Sequence, residues 1–454
     1  MWISTTILLN EASVVTNNNL ELAKLRSEAI RTGLTVGAGT GGAVALLLSM
    51  RRQWLSERAQ KHQEEVSAVT ELYSKAVEQL GSDKAPVRLA ALYALERLAD
   101  DHVHQRQTIV NVLCAYLRMP FESPRSPKDL DDGQDIDPDV SAPLMEEYRR
   151  GRQEMEVRKT AQRILANHLG HVDAGDVLQW KNVDLDLNHA TLLSADFRGC
   201  RIRKADFQYA EFHGATLFEG AQFAANANFA NAKFNIMANF DGVRFEDDAR
   251  FTSAFFSEVS FTGSQFYTLA DYDWARFYEE ATFKHLVVAG EFWFQEASAF
   301  DVVYFSGSDF HQAADFSRSK FHEELWLDSA TFMSSAYFLD VHARLATFDK
   351  AIFAGTTRFK RSIFVEVSFD EAQFHASATL DGLKYDSIHT LGCRFYGPPS
   401  THSAPNKLKL SMPAGSDYSS LVPSESSVPT TDVDLQDGPS TPDAEPEPKD
   451  PPEA

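Results

Sequence analysis

The chain has 454 residues, more than one ordinary domain, and a formal charge of −22 from 43 basic and 65 acidic side chains. That balance argues against general binding to a nucleic-acid backbone, which needs cationic faces, and suits solubility or a basic partner. The three cysteines, Cys114, Cys200 and Cys393, are too few and too far apart for a disulfide framework or a zinc site.

In chain order, the first expected unit is an N-terminal segment, 1–52, with a membrane-spanning helix at about 32–50. Thr32–Met50 has no charged residue, and its 19 positions are just enough to cross a bilayer before Arg51 and Arg52. Gly33, Gly37 and Gly41 recur every fourth position, as in small-residue pairing between membrane helices. Glu11, Glu21, Lys24, Arg26, Glu28 and Arg31 precede the stretch, which is not the form of a cleavable secretory signal. The expectation is a single-pass protein of the cell membrane. Basic residues flank the span on both sides, and the free cysteines favour a cytoplasmic C-terminal part.

An α-helical module is expected over 53–120. Leu55–Leu80 has helical polarity and stops at Gly81, Ser82 and Asp83 offer N-cap chemistry, and Pro86 suits a first turn. The next helix, Val87–Ala99, places Ala91, Leu92, Leu95 and Leu98 on one side, and another carries Ile109, Val112, Leu113, Tyr116 and Leu117. A Pro- and Asp-rich linker fills 121–143, and 144–182 holds a helix, Val157–Leu169, expected to cap the start of the repeat region.

From 183 to 386 a large apolar residue, nearly always Phe, returns every five or six positions with a small residue two places earlier, as in Ala195/Phe197, Ala205/Phe207, Ala210/Phe212, Ala232/Phe234, Ala314/Phe316, Ala351/Phe353 and Ala372/Phe374. Period five suits neither a flat strand nor a helix, so the chain must bend once per repeat. Both residues of each pair then point inward and the rest face water. Phe197, Phe207, Phe212, Phe234, Phe316, Phe353 and Phe374 are assigned to the core on this ground. Near 286–299 and again near 342–345 the phase slips, and irregular coils are expected there.

These residues resemble the pentapeptide-repeat proteins. The resemblance is most specific over Asp184–Leu217, where Ala195-Asp196-Phe197 and Ala205-Asp206-Phe207 meet the consensus. It implies a mainly β fold, a right-handed quadrilateral β-helix with four repeats per turn, hence nine or ten coils and a rod roughly 45 Å long. The strings KAVEQLGSDKAPVRLAALYALERLADD, TIVNVLCAYLRMPF and VRKTAQRILANHL are similar to segments of actinobacterial membrane-anchored pentapeptide-repeat proteins. Residues 387–396 are expected to close the far end, and 397–454, rich in Pro, Ser, Thr and Asp, to be a disordered acidic tail.

The sequence has no phosphate-binding Gly-Lys loop, HExxH or GxSxG motif, and no catalytic residue, cofactor or metal ligand is assigned. His322-Glu323-Glu324 and the pairs Asp247/Asp248 and Glu279/Glu280 sit where solvated charge is the ordinary reading. Trp274, Trp293 and Trp326 fall beside inward positions and are candidates for partner contact. The expected function is a non-enzymatic, membrane-anchored scaffold for a protein partner, with no direct contact to nucleic acid. The alternative, suggested by the same resemblance, is an acidic mimic of duplex DNA that binds a DNA-handling enzyme such as gyrase. The acidity is concentrated in the rod, where 183–386 carries 30 acids and 17 bases.

Overall fold

The computed structural model describes residues 19–122, 124, 138–170 and 179–397, so most of the expected linker and all but the first residue of the tail lie outside the described residues. The N-terminal part is helical: α1 spans Asn19–Leu80, α2 Ala85–Asp101, α3 Arg106–Arg118 and α4 Pro138–His168. α1 runs through the boundary expected at residue 52, because Met50–Ser56 contains neither Gly nor Pro to end it. No helix among the described residues is long and apolar enough to cross a membrane, and the side chains of 36–44, in the middle of the expected span, are not among those described. Lys84 rather than Ser82 or Asp83 is the N-cap of α2, although the Ser82 hydroxyl accepts from the Lys84 amide at 3.2 Å.

The rest of the chain coils as a parallel β-solenoid. Each coil visits four faces in turn, beginning at Asp184–Asp186, Thr191–Leu193, Asp196 and Arg201–Ile202. The first coil is 20 residues long, Leu185 pairing with Ala205, and later coils lengthen to 21 or 22, as in Ala227 with Ala249 and Ala249 with Ala270. The ladders on the first and fourth faces have ten strands each, and a fifteen-stranded sheet holds the second and third faces. Those two join where Lys320–Trp326 runs through the corner between them. Two corners per coil use left-handed backbone. One is occupied mainly by glycine, as at Gly220 (φ 66°) and Gly242 (φ 64°), the other by larger residues, including Trp274 (φ 61°).

Inside, columns of rings run along the axis. Phe212, Phe234 and Phe256 stack at 4.5 and 4.8 Å, within 10° of parallel, and meet rings of the other columns edge to face. Phe197, Phe207, Phe212, Phe234, Phe316, Phe353 and Phe374 are all buried in this interior. Cys200 and Cys393 occupy small-residue positions of the same core, and Cys114 is buried in α3. Burial pushes all three thiols up to about 12.

The irregular coil expected at 286–299 is a regular one with exchanged rings, which corrects that expectation. Ala299 pairs in register with Phe277 and Phe321, where a ring is missing. Phe294 fills the gap, stacking on Phe277 at 5.5 Å and on Phe321 at 5.9 Å. Phe292, in register with Ala270 and Ala314, moves in behind it against Tyr272 and Phe316. Near 342–345 the register does shift, between Phe321 and Glu324.

Two glutamines from the helices close the first coil. The Gln107 amide both donates to the Asp184 carbonyl at 3.0 Å and accepts from the Asp184 amide at 2.8 Å. The Gln162 amide does the same for Leu193, at 3.0 and 2.8 Å. Each side chain stands in for the missing neighbouring strand and leaves no open edge there. Arg158 on α4, itself buried, donates to the carbonyls of Leu117 and Met119 and to Glu154, tying the end of α3 to α4. At the other end, residues 387–396 are a further partial coil and not a separate cap. Lys384–His389 and Arg394–Phe395 pair with Ile363–Ser368 and Gln373–Phe374.

Candidate interaction surface

A coil filled by phenylalanine leaves its chemistry to the outward positions. His322-Glu323-Glu324, Asp247/Asp248 and Glu279/Glu280 all lie at outward positions. Among the described residues no group of three His, Cys, Asp or Glu side chains is arranged to hold a metal ion.

The second face carries an exposed aromatic row. Tyr278 and Phe300, 49% and 44% exposed, stack at 5.3 Å, and His322 continues the row on Phe300 at 4.7 Å. These residues project because they follow Phe277, Ala299 and Phe321, which point inward, so strand alternation turns them out. Beside the row, the Arg276 guanidinium lies over the Phe255 ring at 5.2 Å. Trp274 stands at the adjoining left-handed corner, 56% exposed.

The corner between the second and third faces is acidic. Glu258, Glu279, Glu280 and Asp301 are exposed there on successive coils, and none forms an ion pair among the described residues. Across that corner, Tyr304 and Trp326 lie 6.2 Å apart, and the Lys284 ammonium sits 3.9 Å over the Tyr304 ring. Burial, with Glu280, Glu324 and Asp301 nearby, raises the Tyr304 hydroxyl above its ordinary pKa.

The three tryptophans thus fall on different parts of the rod. Trp274 borders the aromatic row and Trp326 the acidic corner, where its indole donates to Glu324 at 3.0 Å. Trp293 is on the first face, donating to Glu291 at 3.1 Å. Also on the first face, Asp273 is raised to about 6 by burial and by Asp271, Asp315 and Glu296, despite accepting the Gln295 amide at 2.7 Å. Tyr278 and Phe300 escaped the sequence reading because each reads as one more aromatic in a Phe-rich stretch. Their signal is position, one place after the inward residue.

Compared with known families, the chain matches the model for pentapeptide repeats in nine copies, over residues 184–233, 197–244 and 207–255. No significant match emerges among curated proteins or among solved structures.

Proposed function

Because the repeat region of this chain is a member of the pentapeptide-repeat family, we propose that the protein is a non-enzymatic, membrane-anchored scaffold whose solenoid docks a protein partner. The observation that carries the reading is the outward row Tyr278–Phe300–His322 on a rod whose interior is already filled. Apolar area exposed in this way is stabilised by covering it, and aromatic side chains are the usual anchors of protein interfaces.

The membrane anchor is supported by α1. Its uncharged stretch 32–50 ends in Leu46, Leu47, Leu48 and Met50, all exposed, followed by Arg51, Arg52 and Trp54. The Arg58 guanidinium rests on the Trp54 ring at 4.3 Å, a pair suited to a headgroup layer. Free, buried thiols suit a reducing compartment, which supports a solenoid on the cytoplasmic side of the cell membrane.

Mimicry of duplex DNA has weaker support. A mimic needs a continuous run of negative charge, yet outward positions on the second face read Glu211, Lys233, Phe255, Arg276, Ser298 and Lys320 in successive coils. The test is affinity capture from solubilised membranes with the full chain and with a chain lacking 183–397. A protein recovered in stoichiometric amount by the full chain alone supports the scaffold, and identical recoveries overturn it.

A further inference from the structure

We infer that the corner between the second and third faces, over residues 255–326, receives a basic amphipathic segment of the partner. The inference rests on the scaffold reading and gives the docked surface a place and a chemistry. The aromatic row supplies the apolar half. Phe300 is covered on both ring faces, by Tyr278 at 5.3 Å and His322 at 4.7 Å, so only ring edges reach solvent. Planar ligands such as bases or sugars need a free ring face, whereas leucine-like side chains and lysine stems pack on edges.

The acidic half runs alongside. Glu258, Glu279, Glu280 and Asp301 form no ion pair among the described residues, while further along the same corner Glu323 and Glu324 are both held by Arg344, and Glu366 faces His389 at 3.4 Å. The unpaired carboxylates therefore coincide with the aromatic row. Across the corner, Lys284 on Tyr304 is an internal example of the contact expected from the partner, an ammonium on a ring with Glu280 and Asp301 close by. A basic segment with apolar residues on one side satisfies both halves, and charge complementarity sets its sign.

The test is fluorescence anisotropy on the purified full chain with labelled twelve-residue peptides: alternating Lys and Leu, alternating Glu and Leu, and Lys alone. The Lys/Leu peptide binds best, and raising salt weakens it. Its Kd rises at least about tenfold in Glu279→Gln/Glu280→Gln/Asp301→Asn and again in Tyr278→Ala/Phe300→Ala, variants that alter only exposed side chains. Tyr267→Ala/Met333→Ala, on the opposite fourth face, binds as the unmodified chain does. An unchanged Kd in either of the first two variants, or equal binding of the Glu/Leu peptide, overturns the inference. The two readings also fail separately. A partner captured equally by the full chain and by the carboxylate variant leaves the scaffold standing and removes this corner from it.

Discussion

Tyr272 stands in register with Phe251 and Phe294, stacks on Phe251 at 4.8 Å, and buries a hydroxyl that has no hydrogen-bond partner among the described residues. An unsatisfied buried hydroxyl costs about 1–3 kcal/mol, so Tyr272→Phe is expected to raise the denaturation midpoint by an amount worth about 1–2 kcal/mol. Phe316→Ala should act in the other direction, by about 3–5 kcal/mol, because rings at Phe294, Phe338 and Phe305 surround the cavity it opens. An unchanged midpoint in the alanine variant removes Phe316 from the core. Asp273 gives a pH signature. Its carboxyl is raised from 3.8 to about 6, so the folded chain holds a proton that the unfolded chain releases, and stability falls as pH rises between those values. Asp273→Asn removes that penalty and keeps an acceptor for Gln295. It should stabilise by about 1–2 kcal/mol at pH 7.5, discounted for partial exposure, and by little at pH 4. Thermal unfolding at the two pH values checks the difference. Equal gains at both contradict the assignment.

At the level of elements, the first coil depends on two side chains from the helices. Gln162→Ala leaves the Leu193 amide and carbonyl unpaired in a buried place, at a cost of about 1–3 kcal/mol. Hydrogen exchange at Leu193 should then accelerate while Phe256, in mid-rod, keeps its protection; equal rates in variant and unmodified chain would remove Gln162 from the cap. The sequence reading expected a capping helix at Val157–Leu169, but the glutamine contacts that close the coil were not legible, since a glutamine on a helix announces no partner until the coil edge is placed against it. The coil itself was legible, because a period of five with paired small and large residues admits few backbone paths. Where the sequence reading failed, at 286–299, it took exchanged residue sizes for a backbone irregularity. Phe294 shifts into the volume absent at Ala299 and Phe292 moves in behind it, and the ladder stays in register. At the domain boundary expected at residue 52 polarity changes without any residue that ends a helix, and α1 continues through it.

On the scale of the whole molecule, a continuous helix leads into a capped rod whose inside is packed and whose outside mixes charge with a localised aromatic row. Stability is assigned to the columns and recognition to the surface, so exposed aromatic substitutions should leave the midpoint nearly unchanged while core substitutions lower it. The outward positions that matter were only partly readable: Trp274 and Trp326 adjoin the proposed surface, but its centre at Tyr278 and Phe300 required the register. The most direct test is hydroxyl-radical footprinting of the full chain alone and bound to the protein recovered in the capture experiment. The account predicts slower oxidation of Trp274, Tyr278, Phe300 and Tyr304 in the complex, with Tyr267 and Met333 on the opposite face unchanged. Protection confined to the helices, or to Tyr267 and Met333, would contradict it.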